Sequence, residues 1–193
     1  METFITFKPL DGTFVVNSEF GERYKPITTG GCQTATQLHS GIDLRTTHIK
    51  TNGIVPVFNT HKGQVIKAGW SDNNGNFIVL KDASGKATIY SHLHEIRFTV
   101  DGTEHLFGKN AVTTSVCVEG VCTDQESWLY ARNYITEGKV YLNGVEQVGK
   151  EVSFTSRTQM ATAGQSPNNA QTKPCLEDKP CFEGNKINQL KVA

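Results

Sequence analysis

Short apolar or alternating runs broken by Gly, Asn and Asp recur along this chain, and that period of two marks β-strands rather than helices. "FITF" (Phe4 to Phe7) and "TFVV" (Thr13 to Val16) flank a Leu-Asp-Gly turn and predict an opening hairpin. "GNFIVLKDASGKATIYSHLHEI" (Gly75 to Ile96) predicts two central strands joined at Asp82 to Lys86, where Gly85 supplies a permissive backbone. Strict alternation on the second strand puts Thr88, Tyr90, His92 and His94 on a wet face, with Ile89, Ser91 and Leu93 packed on a core.

From about Phe98 to Val148 the character changes. This stretch carries two cysteines, the aromatic run "WLYARNYI" and the hairpin signal "KVYLNGVEQV" with Asn143-Gly144 at its turn, and it reads as an insertion at 98–148 within a single domain of 1–193. Ser156 to Ala170 is a polar loop that begins with a short strand, and the tail "CFEGNKINQLKVA" supplies one more strand or an extended end. There is no internal repeat, no heptad and no long amphipathic pattern.

With 193 residues, 37% of them hydrophobic and 20% charged, the chain can build one full core and is short for two. Lys+Arg and Asp+Glu both number 19, with no basic stripe, so nucleic acid and anionic lipid are poor partners. No apolar run approaches the thickness of a bilayer, and "METFITFKPLDG" lacks the pattern of a secretory signal. In "CVEGVC" a Glu-Gly turn places Cys117 and Cys122 opposite one another, where a disulfide is geometrically easy, which favours an oxidising compartment. Cys175 and Cys181 form a second local pair, which leaves Cys32 odd. A four-cysteine zinc knuckle and five reduced thiols are the competing readings, the first disfavoured by the spacing.

"LHSGIDL" (Leu38 to Leu44) holds His39 and Asp43, two zinc-type donors on one short segment. Taken alone the pair is a weak signal. Its context is "SEFGERYKPITTGG" before it, then "GIVPVFNTHKGQVIKAGW" and "NNGNFIVLKDASGKATIYSHLHEI" after it. This ordered succession resembles the LytM/lysostaphin-type zinc endopeptidases, which open with Phe-Gly-x-Arg and continue with His-x-Gly-x-Asp, a Gly-x-Val-x-x-Ala-Gly strand, a Gly-Asn-x-Val strand and a Tyr-x-His-Leu strand. The likeness spans most of residues 18–96.

The resemblance implies a mainly β fold, an antiparallel sheet core with a groove of the duplicated-hybrid-motif type. It implies that His39 and Asp43 are zinc ligands and that His92 is a groove histidine orienting or deprotonating a zinc-bound water. It also implies a substrate or partner in bacterial peptidoglycan peptides, and a secreted, periplasmic, cell-envelope or virion-associated location. Tyr90 and His94 are expected in the groove, His94 as a rim residue. His48, His61 and His105 read as surface residues.

The departure is at the end of the pattern. Family members close with His-x-His, whose first histidine is catalytic and second is the third zinc ligand; here the best counterpart by sequence is "CLE", with Cys175 and Glu177 at those positions and no histidine after His105. Three readings follow: Glu177 completes an altered zinc site, Cys175 stands in for the catalytic imidazole, or the site is dead and the groove docks cell-wall peptide or a partner hydrolase. The functional expectation is thus a zinc endopeptidase with an altered site or an inactive LytM-like binding, regulatory or structural module.

Overall fold

A computed structural model describes residues 5–22, 38–45, 54–164 and 189–192. Among the described residues there is no helix, and the fold is mainly β as the alternation predicts. The chain enters through β1 (Val15–Ser18), the short pair β2 (Gly21–Glu22) and β3 (Leu38–His39), then β4 (Ile42–Arg45) and β5 (Val55–Phe58). An antiparallel meander follows: β6 (Gly63–Ser71), β7 (Gly75–Lys81), β8 (Ala87–Val100) and β9 (Thr103–Phe107). Next come β10 (Lys109–Val118) and β11 (Val121–Tyr130), then β12 (Tyr134–Thr136), β13 (Lys139–Leu142) and β14 (Val145–Glu146). The described chain closes with β15 (Ser153–Phe154), β16 (Gln159–Ala163) and β17 (Gln189–Val192).

The main sheet runs β1-β4-β17-β8-β7-β6-β12-β13-β14, with β15 on β6, β9 and β16 on β8, and β5 on β16. β10 and β11 form a separate two-stranded ribbon, whereas 98–107 and 134–146 lie in the main sheet. β8 organises the rest. Its first half lies between β7 and β17, its second half between β9 and β16, so one long strand joins two differently flanked halves.

β7 is buried on both faces: Asn76, Phe77, Ile78 and Leu80 are all inside. Ile78 and Leu80 form a single core with Leu44, Tyr90, Leu93, Ile96, Phe98 and Phe107. The hairpin turns follow their sequence signals. Asn143-Gly144, Asp101-Gly102, Glu119-Gly120 and Glu137-Gly138 each place two successive residues at positive φ, the geometry that lets a two-residue loop match strand twist.

Three expectations are corrected. Residues 5–14 form no strand; Thr6 and Phe7 donate backbone hydrogen bonds to the Thr60 carbonyl at 2.8 Å, and β1 pairs with β4. The apolar run there is used to cover the core with Leu10, which is fully buried. His61 is not a surface residue but 3% exposed, its ring nitrogens 2.8 Å from the Lys62 carbonyl and 3.0 Å from Thr88 Oγ1. Buried Asn59 folds this corner by donating to the carbonyls of His61 and Ser156 and accepting from the Thr158 N–H.

The third is Tyr90, which is not in a groove. It is fully buried, and its hydroxyl accepts from the Thr60 N–H at 2.8 Å and pairs with Thr60 Oγ1 at 2.6 Å. Burial pushes the phenol up to about 12, against an ordinary value of 10.0. A raised native value stabilises the fold below pH 10.0, and that contribution disappears as pH rises towards 12. Two units correspond to about 3 kcal/mol. Tyr90→Phe should therefore cost about 1–2 kcal/mol at neutral pH through the lost hydrogen bonds. It should also flatten the decline of unfolding free energy between pH 10 and 12, read by denaturant titration of both proteins.

Candidate functional site

His39 ends β3, where its backbone pairs with Gly21 of β2, and a short Ser-Gly step leads into β4. On β4 the register alternates: Leu44 is 4% exposed in the core, and Asp43 is on the opposite face yet only 7% exposed. Asp43 pairs with Ser18 of β1 on one side and Lys191 of β17 on the other, and Lys191 in turn pairs with Ser91 of β8. The backbone register thus runs Ser18, Asp43, Lys191, Ser91 across four adjacent strands, with His92 the next residue along β8.

His92 occupies a β-bulge. Asn76 of β7 pairs with Leu93 and Ile78 with Tyr90, so Phe77 alone faces both Ser91 and His92. The extra residue is accommodated by His92 at φ 60°, a left-handed conformation that is costly for a residue with a Cβ. Its N–H donates to the Asn74 carbonyl at 2.7 Å, which helps hold the bulge. The bulge also shifts the phase of alternation: Thr88 and Tyr90 are buried before it, whereas His92 and His94 are half-buried after it, on the side away from buried Leu93. The placement of all four on one wet face is corrected accordingly, because strict alternation does not survive an inserted residue.

Beyond the bulge, Asn76 ties β8 to the ribbon. Its Nδ2 donates to the carbonyls of His94 at 3.0 Å and Lys109 at 2.7 Å, and its Oδ1 accepts from the Lys109 N–H at 2.8 Å. Gly108 is required beside it: φ is +74°, and a Cβ there would be 2.4 Å from Asn76 Oδ1. The ribbon base is further seated by Trp70, edge-on to Tyr130 at 5.6 Å and under Lys109 Nζ at 4.3 Å. Trp128 of the ribbon meets the His94 ring edge-on at 5.7 Å. At the tip Cys117 and Cys122 are bonded to each other, the pairing the Glu-Gly turn predicts.

Cys32, His48, Cys175, Glu177 and Cys181 lie outside the described residues. Asp43 and His92 come to the same region of sheet, through β17. The tail does supply one more strand, Gln189–Val192, and its place between β4 and β8 is what the alternation alone does not give. Among the described residues no three His, Cys, Asp or Glu side chains gather in a metal-binding group. The position in register with Asp43 on β17 is Lys191. A cavity of about 510 Å³, lined among others by Glu95, Arg97, Phe98, Glu104 and Met160, does not include Asp43, His92 or His94.

Residues 37–106 match the model of peptidase family M23, and the matched segment is LytM-like. The match runs from just before His39 into β9 and stops short of the ribbon. No curated protein and no solved structure matches the chain.

Proposed function

Given a LytM-type domain over residues 37–106, we propose that this chain is a peptidoglycan-directed binding module that keeps the family groove without its hydrolytic metal centre. The observation that carries this reading is the register of β17 against β4, with Lys191 opposite Asp43. In the zinc endopeptidases that this domain resembles, a closing His-x-His strand supplies the catalytic imidazole and the third metal ligand. Here the strand beside Asp43 reads Gln189, Leu190, Lys191, Val192. Gln189 and Lys191, in register with Arg45 and Asp43, are not histidines, and the sequence has none after His105.

These residue types suit recognition. The carboxylate of Asp43 and the imidazole of His92 are residue types that pair with amide and ammonium groups. An extended peptide carries these complementary groups along its whole length. No helix among the described residues is long and apolar enough to cross a membrane. M23-type domains act outside the cell or in its envelope, and the bonded Cys117–Cys122 pair is in keeping with that setting.

The test uses purified cell walls. The protein is expected to sediment with them, to release no soluble peptide and to hold well under one equivalent of zinc after purification without added metal. One equivalent of zinc that is lost in Asp43→Ala, together with Asp43-dependent peptide release, would instead establish a zinc endopeptidase. Failure to sediment with walls would remove peptidoglycan as the partner.

A further inference from the structure

The ribbon β10–β11 has ten residues per strand, about 34 Å of extended chain at 3.4 Å per residue. Among the described residues no other strand pairs with either of its edges. Long open edges are templates for further strand pairing, and natural proteins block them with charge, proline or bulges. The two edges here differ in that protection. β11 carries Asp124 and Glu126, whereas β10 from Asn110 to Val118 has no charged residue, no proline and no glycine, and its register with β11 is unbroken.

The turn fixes which backbone groups face outward. Glu119 and Gly120, at φ 50° and 80°, make a two-residue loop, so the flanking Val118–Val121 pair is hydrogen-bonded. The next pair, Cys117–Cys122, is then of the non-hydrogen-bonded kind, which agrees with its short Cα–Cα distance of 4.0 Å. Continuing the alternation, Ala111, Thr113, Ser115 and Cys117 turn their N–H and C=O groups away from β11. On the outer edge of β11 the corresponding residues are Cys122, Asp124, Glu126 and Trp128.

We propose that the β10 edge is a homodimer interface in which two copies of this chain pair β10 antiparallel to β10 about a two-fold axis at Thr114. That centre uses the whole strand and matches outward groups to outward groups. Thr113 pairs with Ser115 and Ala111 with Cys117 as hydrogen-bonded pairs, Val112 lies opposite Val116, and Thr114 meets its own copy. No charge opposes another. The equivalent pairing through β11, centred on Gln125, would put Asp124 opposite Glu126, a like-charge contact that destabilises a sheet. The chemistry therefore selects β10 over β11.

The same asymmetry limits the assembly. Pairing gives a four-stranded sheet whose outer edges are both β11, and their acidic residues discourage a third copy, so the interface closes as a dimer rather than propagating. It also joins the exposed apolar stripes of the two ribbons. Val116 and Val118 are 36% and 65% exposed in one chain, and the pairing brings Val116 against the partner's Val112.

Sedimentation equilibrium over a concentration series tests this. The wild type is expected to show a monomer–dimer equilibrium. Thr114→Lys sets two ammonium groups against each other at the axis and should weaken the dimer about tenfold or more at low salt, with partial recovery in high salt. Val148→Lys, which adds the same charge at an exposed site outside the ribbon, should leave it unchanged. Thr114→Cys should yield a disulfide-linked dimer whose joined peptides, identified by mass spectrometry, both contain the substituted position. A monomer at every concentration, a dimer indifferent to Thr114→Lys in a variant that melts like the wild type, or absence of the 114–114 linkage would overturn the proposal.

Discussion

Lys191→His is expected to raise the protein's affinity for zinc. Position 191 is in register with Asp43, and a histidine there would add a metal donor to the strand beside it. A four-ligand structural zinc site is worth about 10–16 kcal/mol, so one added ligand contributes of the order of 3 kcal/mol, about a hundredfold in affinity. Competition against a chromophoric chelator reads the gain directly, and a zinc-dependent rise in melting temperature reads it independently, because a metal that binds only the native state stabilises it. Asp43→Ala introduced into the Lys191→His protein should abolish both. If Lys191→His gains nothing while folding normally, β17 is not the strand that completes the family site, and the reading of the chain as a centre lacking its third ligand falls with it.

The second large effect is on stability. Asn76 is fully buried and makes three hydrogen bonds, two to carbonyls and one from an N–H. Truncation to alanine loses these and leaves partly buried backbone groups of His94 and Lys109 without the asparagine, at about 1 kcal/mol or more for each group. Asn76→Ala should therefore lower the unfolding free energy by about 3–5 kcal/mol. Hydrogen exchange should report the loss first at the ribbon base, around Lys109 and Asn110. Asn76→Asp is expected to be at least as damaging: it keeps the acceptor for the Lys109 N–H but turns a carboxylate towards two carbonyl oxygens. Equal protection of the ribbon in wild type and Asn76→Ala would show that Trp70, Lys109 and Tyr130 seat it unaided.

The distribution of what was legible follows from the range of the interactions. The strands β7 and β8 and the turn between them were readable because alternation and a Gly-containing loop are local properties. The Glu119-Gly120 and Asn143-Gly144 hairpins were readable for the same reason, since positive φ at two successive positions is set by the residue types there. The ordered motifs from Phe20 to His94 exposed the likeness to LytM-type domains, and the match of residues 37–106 to family M23 agrees with it. The faces of β8 were not readable. A bulge at His92 depends on how β7 presses against β8, and a single inserted residue reverses every inside–outside assignment on one side of it.

Tyr90 and His61 were misplaced for a related reason. Polar side chains in an alternating pattern look wet until a distant partner is known, and here Thr60 and Thr88 supply the hydrogen bonds that make burial tolerable. The amino-acid sequence by itself determined the β class, the turn chemistry, the Cys117–Cys122 hairpin and the segment bearing His39 and Asp43. Only the tertiary structure decided that Gln189–Val192 is the strand inserted between β4 and β8, so that Lys191 stands opposite Asp43. Sheet order brings together residues nearly 150 positions apart (191 − 43 = 148), and nothing in either segment alone encodes which edge the other will occupy.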